Sequence, residues 1–287
     1  MADSPQSVGD LVRAYLAEQC TVLIEAEQAL REREPVIHAT RVAARRLRST
    51  LRTYDDLIDV ARAGGLSDEL VWFAGLLGEV RDLEVLEARL LADLAELPPE
   101  LVVGAVAAQI QTELSSRRKV AWDAVHAALD DDRYRRLLAE LHRWRSEAPL
   151  TPEAKAPGVA AKAYVKRAAK ALDKRLDRAI EAQLTGDPGA DHLLHAARKA
   201  GKRARYAAEL AAPVLGKKAD KIIAGRKDLQ DVLGDHQDSI VAAEFLRSEG
   251  VRVGNRSGHN GFTYGLLYGH ERARRAAVTE QLRPFLS

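Results

Sequence analysis

The stretch HATRVAARRLR at residues 38–48 decides how the rest of the chain is interpreted, because it returns closely matched as HAARKAGKRAR at residues 195–205. In each copy a histidine is followed by a basic residue three, seven, eight and ten positions later. A second motif, LGEVRD at 77–82, returns as LGDHQD at 233–238, at nearly the same offset. Motifs that recur in the same order at nearly one offset indicate a duplicated structural unit.

The composition around these motifs favours helices throughout. Aromatic residues make up only 5% of the 287 residues, and alanine, leucine, arginine and glutamate, which all enter helices readily, are abundant. Ser7 and Asp10 have the spacing of a capping box that opens the first helix. No segment has the pattern of a strand. We therefore predict an all-α fold whose helices lie at about 7–33, 36–60, 67–94, 100–129, 132–146, 159–184, 190–212, 217–247 and 263–283.

The repeat and the placement of proline divide this fold into two tandem, internally duplicated four-helix bundles. Prolines 149, 152 and 157 crowd the segment 149–158, which we predict to link a first bundle at 1–148 to a second at 159–287. Four glycines in the segment 249–261 predict a long loop near the end of the second bundle.

Charge and cysteine content restrict the possible functions. Lysine and arginine number 44 against 42 acidic residues, so any basic binding surface must arise from local segregation of charge. Cys20 is the single cysteine, which excludes an internal disulfide and a cysteine-rich zinc site. The first ten residues do not resemble a signal peptide, and no apolar stretch approaches the ~20 residues of a membrane-spanning helix. We expect a cytoplasmic protein that makes no membrane contact.

The repeated helix carries a continuous basic stripe. On a helical projection His38, Arg41, Arg45, Arg48 and Arg52 fall within an arc of about 80°, with the apolar residues opposite. The second copy repeats the stripe with one change, since Glu209 stands at the position of Arg52. Like charges on successive turns repel each other, so such a stripe favours an extended anionic ligand. The alternative is a solvated basic face, or one neutralised by acids of neighbouring helices.

Other residues accompany the stripe. Glycine is unfavourable inside a helix, so Gly78 and Gly234 indicate a close approach between helices. Asp82 and Asp238 are placed to hold the arginines of the stripe, although ordinary interhelical ion pairs are an equal possibility. The basic segment 162–178 spreads its charges over several faces and is interpreted as solvated surface more readily than as a binding site.

The paired pattern H-x-x-R-x-x-x-R-R-x-R with a downstream L-G-x-x-[RQ]-D resembles the CHAD family, the conserved histidine α-helical domain, over about residues 8–284. The resemblance implies two four-helix subdomains around a basic central cavity, binding of inorganic polyphosphate, and recruitment to polyphosphate granules. Lys202 departs from the arginine of the family pattern, and Val80 stands opposite His236 in the repeat. Together, stripe and resemblance give the candidate polyphosphate-binding residues His38, Arg41, Arg45, Arg46, Arg48, Arg52, His195, Arg198, Lys199, Lys202, Arg203, Arg205, Arg117, Arg118, Arg274 and Arg275, supported by Arg81, Asp82, His236 and Asp238.

The function we expect is binding without catalysis and without a cofactor. The acidic E-x-E-x-K strand motifs of the CYTH triphosphate-processing domain, which accompanies many members of the family, are not found, so a stand-alone binding module is expected. His192 and His195 have the spacing of a metal-ligand pair but lack a recognisable third ligand, which leaves a metal-dependent phosphohydrolase as the enzymatic alternative. Generic binding of polyanions or nucleic acid is a second alternative, disfavoured because Tyr206 is the single aromatic residue in register with the stripes. An adaptor for other proteins is a third, and the oligomeric state is not indicated.

Overall fold

The predicted all-α fold is confirmed. The computed structural model describes residues 7–59, 61–256 and 260–285, and this part of the chain contains helices and turns but no strand. The helices are α1 (Val8–Arg31), α2 (Ile37–Thr53), α3 (Leu66–Glu96), α4 (Val106–Asp130), α5 (Asp132–Ser146), α6 (Ala161–Thr185), α7 (Ala190–Leu210), α8 (Ala212–Leu215), α9 (Lys217–Gly254), α10 (Phe262–Ala276) and α11 (Val278–Leu282).

The first helix begins as its sequence predicts. The Ser7 hydroxyl accepts a hydrogen bond from the Asp10 backbone N–H at 3.1 Å, and the Asp10 carboxylate accepts one from the Ser7 N–H at 3.0 Å. This reciprocal pair satisfies two amide groups that the helix itself leaves without partners.

Several helices differ from the prediction at their ends, among them α4, which begins at Val106 and not near residue 100. Helix α2 stops at Thr53, and a 3-10 turn at Asp55–Leu57 follows where the sequence predicted further α-helix. Helix α3 begins at Leu66, directly after Gly65, which adopts the left-handed conformation (φ 74°), and it extends to Glu96, two residues beyond the predicted end.

The predicted loop at 249–261 is wrong over its first part, because α9 continues as helix to Gly254. Residues 257–259 of that loop lie outside the described residues. The glycines here permit close contact between α9 and α10. A Cβ atom on Gly250 would lie 3.1 Å from the Cβ of Tyr264, and one on Gly261 would lie 2.8 Å from the Gly250 carbonyl oxygen. These glycines therefore serve helix packing, which a local sequence pattern does not distinguish from a turn.

The hydrophobic interior is shared between the two halves of the chain. The largest cluster is formed by helices α1 to α5 together with the start of α6 and the end of α7. A second cluster joins α3 and α4 to α9 and α10, and a third joins α6, α7, α9 and α11. The segment 149–158 packs on the first half, since the Val8 amide donates to the Ala156 carbonyl at 2.8 Å and the Thr151 amide to the Leu57 carbonyl at 3.0 Å.

Candidate functional site

A pocket of about 460 Å³ opens where the two repeated helices, α2 and α7, face the two helices that carry the repeated L-G motif, α3 and α9. Each half of the chain thus supplies one helix of each kind. The pocket is lined by His38, Arg41, Arg45, Arg81, Asp82, Val85, Leu86, Arg89, His195, Arg198, Lys202, Gln237, Asp238 and Val241.

The basic stripe reaches this pocket because the opposite face of each repeated helix is buried. On α2 the side chains of Ala43, Ala44 and Leu47 lie in the core, and on α7 those of Ala197 and Ala204 do so. The residues that complete the helical circumference are therefore directed towards the pocket. Six lysine or arginine side chains, two histidines and two carboxylates line the pocket, and one of the arginines, Arg81, is also paired with Glu84 at 2.9 Å.

In the first copy the stripe is fixed by the L-G motif. The Arg41 guanidinium donates to the Asp82 carboxylate at 2.8 Å and to the Gly78 carbonyl at 3.4 Å. A Cβ atom on Gly78 would lie 3.2 Å from Nη2 of Arg41. Glycine at this position thus leaves the space that the guanidinium occupies.

The second copy is arranged more loosely. A Cβ atom on Gly234 would lie 3.9 Å from Arg198, which is an ordinary contact. Burial lowers the pKa of Arg198, an effect that Asp238 opposes and Arg45 reinforces. Burial likewise raises the pKa of Asp238, against the attraction of Arg198.

Lys202 is the most strongly perturbed cation of the pocket. Its pKa falls from an ordinary value of 10.5 to about 7, first through burial and then through the charges of Arg198, Arg45 and Arg41, with Asp238 offsetting part of the effect. The pocket therefore holds more positive charge than its own acids neutralise, and it responds by favouring release of a proton from this lysine.

The two histidines at the pocket are also held towards their neutral forms. Partial burial lowers the pKa of His38, and Arg81 and Arg45 add to the effect. Burial and Lys199 lower the pKa of His195, whose Nδ1 lies 2.8 Å from Oε1 of Gln237.

Three guanidinium groups of the pocket keep unused donors. The Nε atoms of Arg45, Arg81 and Arg198 are buried, and each lacks a hydrogen-bond partner among the described residues. Because an unpaired buried N–H group costs about 1–3 kcal/mol, such atoms mark places where a ligand can supply an acceptor.

Arg89 belongs to the pocket although sequence reasoning missed it. Burial disfavours its charge, but hydrogen bonds to Glu271 (2.5 and 2.7 Å) and Asp235 (2.6 Å) outweigh burial and raise its pKa. Arg89 follows Asp82 by seven residues, two helical turns on the same face of α3. That spacing is the signal that could have identified it.

Several predicted site residues lie elsewhere and are paired with acids. Arg46 contacts Glu209 at 2.8 Å, and Arg205 contacts the same carboxylate at 2.8 Å. The recurring arginine pairs of the predicted site lie on α4 and α10, and each of these arginines is matched by carboxylates: Arg117 by Glu113 and Glu249, Arg118 by Glu87, Arg274 by Asp93 and Glu271, and Arg275 by Asp191.

The remaining predicted residues lie in four other places. His236 is buried on α9 and lies 3.1 Å from Asp191, and burial lowers its pKa. Arg48 is half-buried and does not line this pocket. Lys199 is exposed beside the pocket. Arg52 and Arg203 line a second, smaller cavity.

One group of potential metal ligands is found among the described residues, formed by Asp93, Glu96 and His270. It lies outside the pocket. Arg274 contacts Asp93 at 2.7 Å and Glu96 at 3.9 Å, so both acids of this group already have a side-chain cation as partner. His192, the predicted partner of His195 in a metal pair, is exposed and is not part of this group.

No helix in the described part of the chain has an apolar stretch long enough to cross a bilayer.

Known proteins resemble the chain over nearly its whole length. It is 34% identical over 291 aligned residues to Uncharacterized protein MT2285 and Uncharacterized protein Rv2226, both of Mycobacterium tuberculosis, and covers 100% of itself but 54% of each relative. The chain thus spans about half the length of these curated relatives.

Two solved structures share the fold. PptA from Streptomyces chartreusis superposes with a TM-score of 0.79 at 24% identity, covering 98% of this chain and 99% of that one. The crystal structure of the CHAD domain from the plant Ricinus communis gives a TM-score of 0.70 at 24% identity, with 98% and 92% coverage. The family model of the CHAD domain matches residues 14–247, which is most of the chain. The resemblance inferred from the repeated histidine motif is therefore correct, and the chain belongs to the CHAD domain family.

Proposed function

We propose that the protein binds inorganic polyphosphate in the pocket between α2, α3, α7 and α9. The observation that carries this proposal is the unneutralised charge of the pocket. Positive side chains from both copies converge there, buried Nε atoms of Arg45 and Arg198 lack acceptors among the described residues, and the pKa of Lys202 is depressed to about 7. A polyanion would supply both the missing charge and the missing acceptors.

The arrangement of the cations suits a chain of phosphates better than a single phosphate. Arg41 and Arg45 lie one helical turn apart on α2, and Arg198 and Lys202 do so on α7. Successive turns are about 5.4 Å apart, so two rows of basic side chains, one from each helix, face the same space. Arginine can bind phosphate oxygens in a bidentate manner, and lysine adds a point charge.

The lining also favours polyphosphate over nucleic acid. It contains no phenylalanine, tyrosine or tryptophan among its described residues. Proteins that bind single-stranded nucleic acid rely on aromatic platforms for base stacking, and this pocket offers charge without such a platform. We therefore place nucleic acid among the competitors and not among the partners.

A double variant tests the proposal. Replacing Arg45 and Lys202 by glutamine removes one charge from each copy, and each lost charge-assisted hydrogen bond is expected to weaken binding about tenfold or more. The matched control replaces Arg136 and Arg247, two exposed arginines that line neither cavity. Binding of long-chain polyphosphate is measured by calorimetry at near-physiological salt, and circular dichroism verifies that the helices are retained. Equal affinities in the double variant and the control would refute the assignment of this pocket.

Competition distinguishes a dedicated site from a general cationic surface. Duplex DNA and heparin are added in excess to the complex with polyphosphate. Retention of polyphosphate supports the proposal. Equal displacement by both competitors indicates non-specific attraction to polyanions, which is salt-sensitive in the same way, and would favour the adaptor function instead.

We further propose that binding is not followed by chemistry and that it brings the protein to polyphosphate granules in the cytoplasm. Incubation with polyphosphate and divalent cations is expected to release no phosphate above the level of the Arg45→Gln/Lys202→Gln variant. A fluorescent fusion of the wild type is expected to form foci that disappear in cells depleted of polyphosphate, whereas the double variant stays diffuse. Phosphate release that depends on the pocket would establish an enzyme.

A further inference from the structure

A second cavity lies at the other end of α2. Its volume is about 230 Å³, half that of the main pocket, and the two cavities share no lining residue. Arg52 follows Arg45 by seven residues, which places it about 10 Å further along the helix axis. The cavity is lined by Arg52, Thr53, Asp55, Arg167, Ala168, Ala171, Arg175, Ala200 and Arg203.

The charges of this cavity are held in place without being neutralised. The Arg167 guanidinium donates to the Thr53 carbonyl at 2.6 Å, and that of Arg175 donates to the Ala171 carbonyl at 2.7 Å. Backbone carbonyls orient a guanidinium but carry no net charge. The single acid, Asp55, lies 3.7 Å from Arg167, and both of these side chains are more than half exposed.

The effect of these charges is seen in the pKa of Arg203. Its pKa is lowered by burial, then by Arg52, and then by Arg175. Four arginines, one exposed aspartate and three alanines therefore line this cavity. Arg52 and Arg167 are exposed to solvent, whereas Arg175 and Arg203 are half-buried, so a bound anion would relieve the repulsion chiefly at the latter two.

The internal repeat shows that Arg203 lacks the acidic partner that its counterpart in the first copy, Arg46, has. Arg46 in the first copy corresponds to Arg203 in the second, and Glu209 corresponds to Arg52, at the same offset of 157 residues. At Arg46 of the first copy, the carboxylate of Glu209 from the second copy contacts the guanidinium at 2.8 Å and accepts a hydrogen bond from the Tyr15 hydroxyl at 2.9 Å. The charge of Arg46 is therefore balanced by a carboxylate of the protein itself. At Arg203 of the second copy, the position equivalent to Glu209 is held by Arg52 of the first copy, so the Arg203 guanidinium meets further positive charge.

We propose that this second cavity is a separate binding site for a compact phosphate anion of one or two phosphoryl groups. The anion would take the role towards Arg203 that the Glu209 carboxylate takes towards Arg46. Alanines at positions 168, 171 and 200 provide the space, and arginine supplies planar pairs of donors that match phosphate oxygens. The same chemistry is offered by free pyrophosphate and by the end of a polyphosphate chain.

The variant Arg52→Glu tests this proposal because it introduces the counterpart of the Arg46–Glu209 ion pair. Glutamate at position 52 would pair with Arg203, so binding of pyrophosphate to this cavity is expected to fall at least tenfold while the thermal midpoint of the free protein rises by a few degrees. Opposite changes in affinity and stability are not expected from mere damage to the fold. The control is Arg136→Glu, which makes the same change of charge on the exposed face of α5.

Calorimetry with pyrophosphate as the titrant counts the sites. The wild type is expected to bind at two places, Arg52→Glu to retain the main pocket, and Arg45→Gln to retain the second cavity. The variant Arg203→Gln provides a second test of the cavity without a new acid. If pyrophosphate binding is unchanged in both Arg52→Glu and Arg203→Gln, the second site does not exist. If the main pocket does not bind polyphosphate but the second site exists, Arg52→Glu and Arg203→Gln will still bind less pyrophosphate than the wild type.

Saturation with long-chain polyphosphate separates the two sources of the anion. If the saturated protein no longer binds pyrophosphate at the second cavity, the end of the chain occupies it. If pyrophosphate still binds with a stoichiometry of one, the cavity takes a free anion. Both results depend on binding at the second cavity. If Arg52→Glu binds pyrophosphate as well as the control Arg136→Glu does, neither source of the anion occupies this cavity.

Discussion

Replacing Lys202 by methionine is expected to stabilise the free protein and to weaken its binding of polyphosphate. Methionine keeps the length and apolar stem of the side chain and removes only the charge. In the wild type that charge lies in a partly buried pocket together with Arg198, Arg45 and Arg41. The lysine therefore opposes folding in the absence of a ligand and favours the complex when an anion is present.

The size of the effect follows from the pKa of Lys202. A fall from 10.5 to about 7 spans several pKa units, each worth about 1.4 kcal/mol of free energy. Removing the charge at pH 7 is thus expected to raise the free energy of unfolding by about 2–4 kcal/mol, which corresponds to an increase of roughly 5–10 °C in the thermal midpoint.

The pH dependence gives the sharper measurement. Between pH 7 and about 10.5 the unfolded chain keeps the proton on Lys202 while the folded chain releases it. The stability of the wild type therefore rises with pH across this window, and the penalty is fully present below pH 7. The difference between Lys202→Met and the wild type is accordingly largest at pH 6 and shrinks steadily towards pH 10.

Urea denaturation at pH 6, 7, 8 and 9 measures this difference directly. Arg136→Met, which removes an exposed charge on α5, is the matched control and is expected to show no such trend. Saturating polyphosphate should reverse the order of stability, because it favours the wild type by mass action. A difference in stability that does not change with pH, or a loss of stability in Lys202→Met at pH 6, would show that the charge of Lys202 does not destabilise the folded protein.

Two further predictions concern the pH dependence of binding and the glycines beside the pocket. The affinity for polyphosphate is expected to rise several-fold as the pH falls from 7 to 6, because the pKa values of His38 and His195 are held below 6.5 and an anion favours their protonated forms. In the variant with glutamine at both positions, calorimetry should show a smaller rise in affinity, equal to the part that protonation of Lys202 contributes. Gly78→Ala is expected to displace the Arg41 guanidinium, 3.2 Å from the new Cβ, and to weaken binding about tenfold, whereas Gly234→Ala should leave affinity unchanged and stabilise its helix by about 1 kcal/mol. Equal effects of the two alanines on affinity would contradict the geometric difference between the copies.

The fold was predictable to the extent that local signals determine it. The capping box at Ser7 and the repeat around His38 and His195 depend on residues a few positions apart, and the structure begins each of these helices within one residue of its predicted start. The extension of α9 to Gly254 was not predictable. It depends on contact with α10, where Gly250 meets Tyr264, and glycines that permit helix contact look the same in sequence as glycines that form a turn.

The members of the site were predictable by helix face but not by partner. Arg45 and Arg46 are neighbours in sequence, yet one lines the pocket and the other pairs with Glu209, 163 residues away. Arg117 and Arg274 were included because they recur, and each instead contacts a buried acid. A periodic pattern shows which direction a side chain takes from its own helix. It carries no information about which residue of another helix will be found there.

The pairing of each basic residue therefore separates structural cations from ligand-binding ones. Where the fold needs a cation, an acid from a distant helix meets it, as Glu209 meets Arg46 and Asp93 meets Arg274. At the pocket the balance is different, since the donor of Arg45 stays unpaired among the described residues and the pKa of Lys202 falls instead. Leaving these charges uncompensated costs stability, and the second hydrophobic cluster, which joins α3 and α4 to α9 and α10, offsets that repulsion by holding the two halves together. A bound polyanion would contact both rows at once and add a link between the same two halves. Ligand binding and the packing of the two repeats are consequently expected to reinforce each other.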